Sequence, residues 1–184
     1  MPKVTLRSLI AATALVAAAP LLSAASNPKV GGAVMLPTKT IVENAAQSAD
    51  HKTLVAAVQA AGLAETLSGP GPFTVFAPTD GAFSALGAST VDTLTRPENK
   101  ERLTAILTYH VVPGAMTAKM INAEIRKGKG KATLTTVQGR PLTVRTTGGM
   151  LILTDARGST SMVTIKDVMQ SNGVIHVVDT VLMP

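Results

Sequence analysis

Cysteine and tryptophan are both absent from the 184 residues of this chain, and its aromatic side chains are three Phe and one Tyr. Without a thiol there is no disulfide, no thiolate nucleophile or metal ligand, and no acceptor for the acylation of a bacterial lipoprotein. Stability must come from packing alone. The scarcity of aromatics removes the stacking platforms on which single-stranded nucleic acids are bound, so nucleic acid is not an expected partner. No Gly-x-Ser-x-Gly elbow occurs, and no spacing of Ser, His and Asp selects a catalytic triad. The chain has no internal repeat, which excludes a solenoid and two copies of one domain.

What is present begins with an export pattern. Lys3 and Arg7 precede an uncharged, mostly apolar run over residues 8–22, followed by the small residues Ser23, Ala24 and Ala25. Basic, apolar and small-residue regions in that order describe a secretory signal, with cleavage expected after Ala25. The run is shorter than the roughly 20 residues of a spanning helix, so no stable membrane span is expected after cleavage. Removing residues 1–25 lowers the basic count from 17 to 15, and against 11 acids the net charge falls from +6 to +4. The remaining residues suit one domain with one hydrophobic interior.

Much of the basic excess lies in Arg126, Lys127, Lys129 and Lys131. A solvated turn is the default reading of such a run. The functional alternative is contact with phosphate, anionic lipid or acidic polysaccharide.

Residues 26–37 carry Pro28, Gly31, Gly32 and Pro37 with little periodicity and read as a linker, placing the domain at residues 38–184. Ile41, Val42 and Ala45 then recur at helical spacing. A second helix is expected with Asp50 as N-cap, Leu54, Val55, Val58 and Ala61 inward, and Gly62 as its stop. The cluster Gly69-Pro70-Gly71-Pro72 leads to the buried-strand pattern Phe73-Thr74-Val75-Phe76-Ala77. Thr79 or Asp80 can cap the helix that follows, with Ala82, Phe83 and Leu86 inward. Further helical patterns cover residues 91–94 and 97–107. Residues 109–112 read as a strand closed by Pro113-Gly114, and a helical stretch surrounds Met120, Ile121 and Ile125. From there strand patterns run to the end of the chain, so the class is α+β, with helices mainly in the N-terminal half.

Three segments carry a family resemblance. Residues 73–83, with Phe76, Pro78, Thr79, Asp80 and Phe83, look like the first signature of fasciclin-like (beta-Ig-H3/fasciclin) domains. Tyr109-His110 resembles the central signature, and residues 172–179, with Gly173, His176 and Asp179, resemble the last. The resemblance implies a wedge of β-strands flanked by short helices. It further implies a non-enzymatic binding and adhesion module without a cofactor, similar to single-domain bacterial members that are secreted or periplasmic. The partner it implies is an unidentified cell-surface or matrix protein or glycan. Algal relatives that bind carotenoids imply an alternative, the carriage of an apolar ligand such as a carotenoid or lipid. Met116, Met120, Met150, Met162 and Met169 would line its pocket, although methionine more commonly fills gaps in a core.

Lys166, Asp167, Val168 and Met169 stand where animal matrix members of that family carry short acidic-hydrophobic sequences implicated in integrin binding. The default role of Asp167 is structural, capping or turning backbone ahead of Asn172-Gly173. His110 and His176 fall in strand patterns. With His51 expected on an exposed helix face, they lack the third ligand of a zinc site and are read as buried, hydrogen-bonded imidazoles.

Overall fold

The computed structural model describes residues 27–184. The expected signal peptide, residues 1–25, lies outside the described residues.

The segment expected as a linker instead folds onto the domain. β1 (Lys29–Val30) and β2 (Ala33–Val34) form a hairpin whose turn residues Gly31 and Gly32 have φ of 56° and 77°. Two successive positive φ values are the requirement of a tight hairpin turn, and glycine meets it without strain. The hairpin buries Val30 and Met35 in the helical core. Pairing across a two-residue turn is compatible with weak periodicity, which is why a linker pattern concealed it.

α1 (Ile41–Ala45) starts at a capping box formed by Thr40 and Glu43, and α2 (Lys52–Ala61) stops at left-handed Gly62. α3 (Ala64–Ser68) leads through the Gly-Pro cluster to β3 (Phe73–Pro78). α4 (Asp80–Ala85), α5 (Ala88–Leu94), a short 3-10 turn and α6 (Lys100–Tyr109) follow. β4 (Val111–Pro113) precedes α7 (Ala118–Lys127). The chain closes with β5 (Lys131–Thr135), β6 (Pro141–Thr147), β7 (Met150–Thr154), β8 (Thr160–Gln170) and β9 (Gly173–Val178).

Tyr109 and His110 therefore close a helix rather than open a strand. The apolar phase of Leu103, Ile106 and Leu107 continues into them at three- and four-residue spacing, and only Val111 to Pro113 is left for β4.

The seven-stranded sheet has the order β4-β3-β9-β8-β7-β6-β5, with β3 and β9 parallel and the other neighbours antiparallel. Register shifts between Val163 and Val168 bend the long β8, so that it serves both halves of the sheet. The two end strands converge at one end, where Val137 N–H donates to the Val111 carbonyl at 2.7 Å. The result is a wedge, nearly a barrel, that stays open toward Pro113 and Lys131.

Alternation along β3 divides the interior. Val75 and Ala77 face a core built with Leu54, Val58, Phe83 and Leu107, whereas Phe76 faces a second core with Tyr109, Ile121, Leu142, Leu153 and Val178. Strands buried on both faces read as continuous apolar runs, as β3 and β9 do.

Candidate functional site

The first and last signature segments meet because β3 lies in parallel register with β9. Phe76 stands opposite His176, with ring centroids 5.6 Å apart and planes inclined by 26°. Pro78 ends β3 opposite Val178, and Phe83 packs from α4 into the helical core. Gly173 opposes Phe73, where a Cβ would collide with the Phe73 carbonyl. The two backbones approach too closely for any other residue.

The imidazoles of His110 and His176 have both nitrogens engaged. His110 Nδ1 lies 2.8 Å from the Ile106 carbonyl, and its Nε2 accepts from the Leu182 N–H at 3.0 Å. His176 Nε2 lies 2.9 Å from the Met116 carbonyl, and its Nδ1 accepts from the Asp167 N–H at 3.2 Å. A carbonyl can only accept and an amide N–H can only donate, so His110 carries its proton on Nδ1 and His176 on Nε2. Burial pushes the pKa of His110 down to about 4 and lowers that of His176. Each ring is a neutral clamp between elements far apart in sequence.

His51 is buried rather than exposed. It precedes the first turn of α2 with φ −128° and ψ 24°, outside helical phase, and its ring turns beneath the β1–β2 hairpin, with Nδ1 2.8 Å from Ser48 Oγ. Burial lowers its pKa too.

The carboxylates serve backbone donors. Thr79 Oγ1 caps α4 by accepting from Ala82 N–H. Asp80 instead reaches α2, accepting from Thr53 N–H at 2.8 Å and from Lys52 N–H at 3.3 Å. Asp50, expected as that helix's N-cap, offers its backbone carbonyl to Asp80 N–H, because the helix begins one residue later than its sequence pattern implies. Asp179 Oδ1 accepts from Met162 N–H at 2.8 Å. Tyr109 donates its hydroxyl proton to the Pro141 carbonyl at 2.9 Å and accepts from Ala156 N–H; burial raises its pKa.

In the Lys166 to Met169 segment, Asp167 occupies a left-handed conformation, φ 60°, at the β8 irregularity, and its Oδ1 accepts from Ala118 N–H at 2.6 Å in the first turn of α7. Lys166 and Met169 are exposed and Val168 is fully buried, so the four do not form one continuous surface.

Asn44 and Asp155 stand in no sequence motif, and Asn172 is marked only as part of a turn and of the last signature. Asn172 Oδ1 accepts from Ile41 N–H, while its Nδ2 donates to the Leu67 and Gly69 carbonyls, joining α1 to the end of α3. Asn44 bonds Leu36 and Gln170, and Asp155 ties its own turn to Met183. A polar residue at an apolar helix phase, as Asn44 is, was the one available signal.

The methionines do not gather. Met120, Met150 and Met169 are exposed on α7, β7 and β8, and Met116 lies beside His176. The apolar cleft between α1, α2, β3 and α6, lined by Ile41, Leu54, Val58, Val75 and Leu107, encloses about 30 Å³. That is room for little more than a water molecule. A carotenoid would require the cleft to open.

The basic run borders the mouth of the wedge. Arg126 and Lys127 end α7, Lys129 sits in the turn with φ 54°, and Lys131 begins β5. Between them and β4 lies an open groove of about 820 Å³, floored by Val112, Met116, Ala132 and Leu134. Glu124, the one acid lining it, is paired with Lys127 at 2.6 Å. Among the described residues no group of three His, Asp or Glu converges as a metal site requires, and no helix is long and apolar enough to cross a membrane.

Comparison with known proteins agrees with this architecture. The family model described as "Fasciclin domain" matches residues 49–184. Protein sll1483 of Synechocystis sp. is 49% identical over 145 residues, covering 79% of this chain and 73% of that protein. Cell surface glycolipoprotein MPB83 of Mycobacterium bovis is 36% identical over 122 residues, covering 66% of this chain and 48% of that protein. A FAS1 domain pair from the insect cell adhesion molecule Fasciclin I superimposes with a TM-score of 0.70 at 19% identity, over 79% of this chain and 51% of that one. That last likeness is one of fold.

Proposed function

Because this chain belongs to the fasciclin domain family, we propose that it is an exported, non-enzymatic binding and adhesion module that contacts cell-surface or extracellular-matrix components. The observation that carries the reading is where the polar groups of the signature segments are spent. His110 and His176 have both ring nitrogens occupied by backbone groups, and Asp80, Asp167 and Asp179 accept from backbone N–H groups. A general base must be free to take a proton from a substrate, and these groups already hold the fold together. What remains for a partner is the outer surface, above all the basic rim of the wedge mouth.

The names of two similar proteins, a cell surface glycolipoprotein and a cell adhesion molecule, support placement outside the cytoplasm. Beads coated with the protein should adhere saturably to surfaces bearing matrix protein, cell-wall glycan or whole cells, and excess soluble protein should compete. Adhesion no greater than that of albumin-coated beads on every such surface would count against the reading. Hydrolytic activity abolished by one Ser, Asp or His substitution, with the fold retained, would replace it with an enzyme.

A further inference from the structure

β5 is the last strand of the sheet, and the direction of its backbone groups follows from the ladder it forms with β6. Thr136 N–H donates to the Arg140 carbonyl, so in the antiparallel register Leu134 and Ala132 face β6 while Thr135 and Thr133 turn their N–H and C=O groups the other way; the Lys131 carbonyl on that side packs against Gly128. The Thr133 and Thr135 groups point toward the groove at the mouth of the wedge. Across it, two of the outward groups of β4 are spent or missing. The Val111 carbonyl accepts from Val137 N–H, and Pro113 has no N–H to give. One side of the groove is therefore a usable strand edge over residues 133–135, about 10 Å long at the ordinary rise per residue, and the other side has fewer groups left to offer a strand.

The groove also has the lining such an edge needs. Ala132 and Leu134 are inward and apolar, and Lys127 and Lys131 stand on its rim with Lys129 and Arg126 exposed nearby. Lysines on an edge strand repel a second copy of the same basic strand, which is how edges are kept from pairing with themselves. They attract only a strand of opposite charge. We propose, resting on the binding-module reading above, that the mouth of the wedge binds an acidic, extended segment of a partner protein, which adds to the free edge of β5 as an extra strand. The alternating donors and acceptors of Thr133 and Thr135 match a polypeptide backbone, and the basic rim selects acidic side chains.

The probe is a capped peptide of about eight residues alternating glutamate and valine, added to the whole protein and followed by amide hydrogen exchange and titration. Protection of the Thr133 amide is expected. Thr133→Pro removes an N–H that β6 does not use, so it should leave the melting temperature near that of the parent protein and weaken peptide binding by about tenfold or more. Lys131→Glu alters no backbone group and should weaken binding similarly; it keeps the test valid should the proline variant fail to fold. The same peptide with alternate backbone nitrogens methylated should not bind.

The proposal is overturned if the peptide does not bind, if Thr133 gains no protection, or if Thr133→Pro binds as the parent does. It is likewise overturned if a sulfated oligosaccharide competes for the groove and is sensitive to Lys131→Glu while peptide binding is not. The two readings separate in the bead assay. Edge-dependent peptide binding without adhesion supports the site and removes the adhesion reading. Adhesion that Thr133→Pro leaves undiminished keeps that reading and removes the site.

Discussion

His110 should make this protein acid-sensitive in a window above carboxylate titration. Its ring donates to Ile106 and accepts from Leu182, so protonating Nε2 would set one N–H against another inside the core. The folded-state pKa is held at about 4 by burial, against the ordinary 6.5. A base with a depressed folded pKa binds fewer protons when folded than when unfolded. Stability is thus fully present above the unfolded pKa and is lost as pH falls toward the folded one. Integrating between about pH 7.5 and about pH 5 gives a loss of about 2 kcal/mol from His110 alone. His176 and His51, also depressed by burial, add to the same slope. Urea unfolding at several pH values measures this directly. His110→Gln should be less stable at neutral pH but should show a slope shallower by about 2 kcal/mol over the same interval. If the variant and the parent lose stability in parallel, the imidazole is not held neutral by its surroundings and the clamp argument fails.

Other substitutions test the remaining joints. Asn172→Ala leaves the Ile41 N–H and the Leu67 and Gly69 carbonyls without their partner, and should cost about 2–4 kcal/mol in chemical denaturation; a loss below half a kilocalorie would show that water replaces the side chain freely. Asp80→Ala uncaps α2 from a distance and should cost about 1 kcal/mol, with amide exchange quickening first at Lys52 and Thr53 rather than in α4. Gly173→Ala sets a methyl against the Phe73 backbone and should abolish soluble expression or lower the melting temperature by well over ten degrees; a normal melting curve would mean that β3 and β9 can separate without penalty.

The split between what the chain announces and what folding decides is visible in particular residues. The buried runs of β3 and β9, the apolar phase of α2 and α6 and the stop at Gly62 are local patterns, and they are where the sequence places them. The two glycine-turn strands before residue 38 leave no pattern in the sequence because two residues per strand are too few to show a period. His51 is buried against the expectation from helical spacing because a residue ahead of the first helical turn does not share the helix's phase.

At the site, the residue types in the three signatures were legible and their partners were not. Asp80 caps a helix 28 positions earlier in the chain, and His110 holds Leu182 from 72 positions away. Such pairs depend on the β3–β9 register and on how the bent β8 closes the wedge. Sequence by itself determined the α+β class, the absence of thiol chemistry and the longer helices and strands, since each follows from composition or from periods of two and 3.6 residues. Only the tertiary structure decided which polar groups are spent inside and which strand edge is left free, because a hydrogen bond between distant residues is set by the packing of whole elements and leaves no period in the chain.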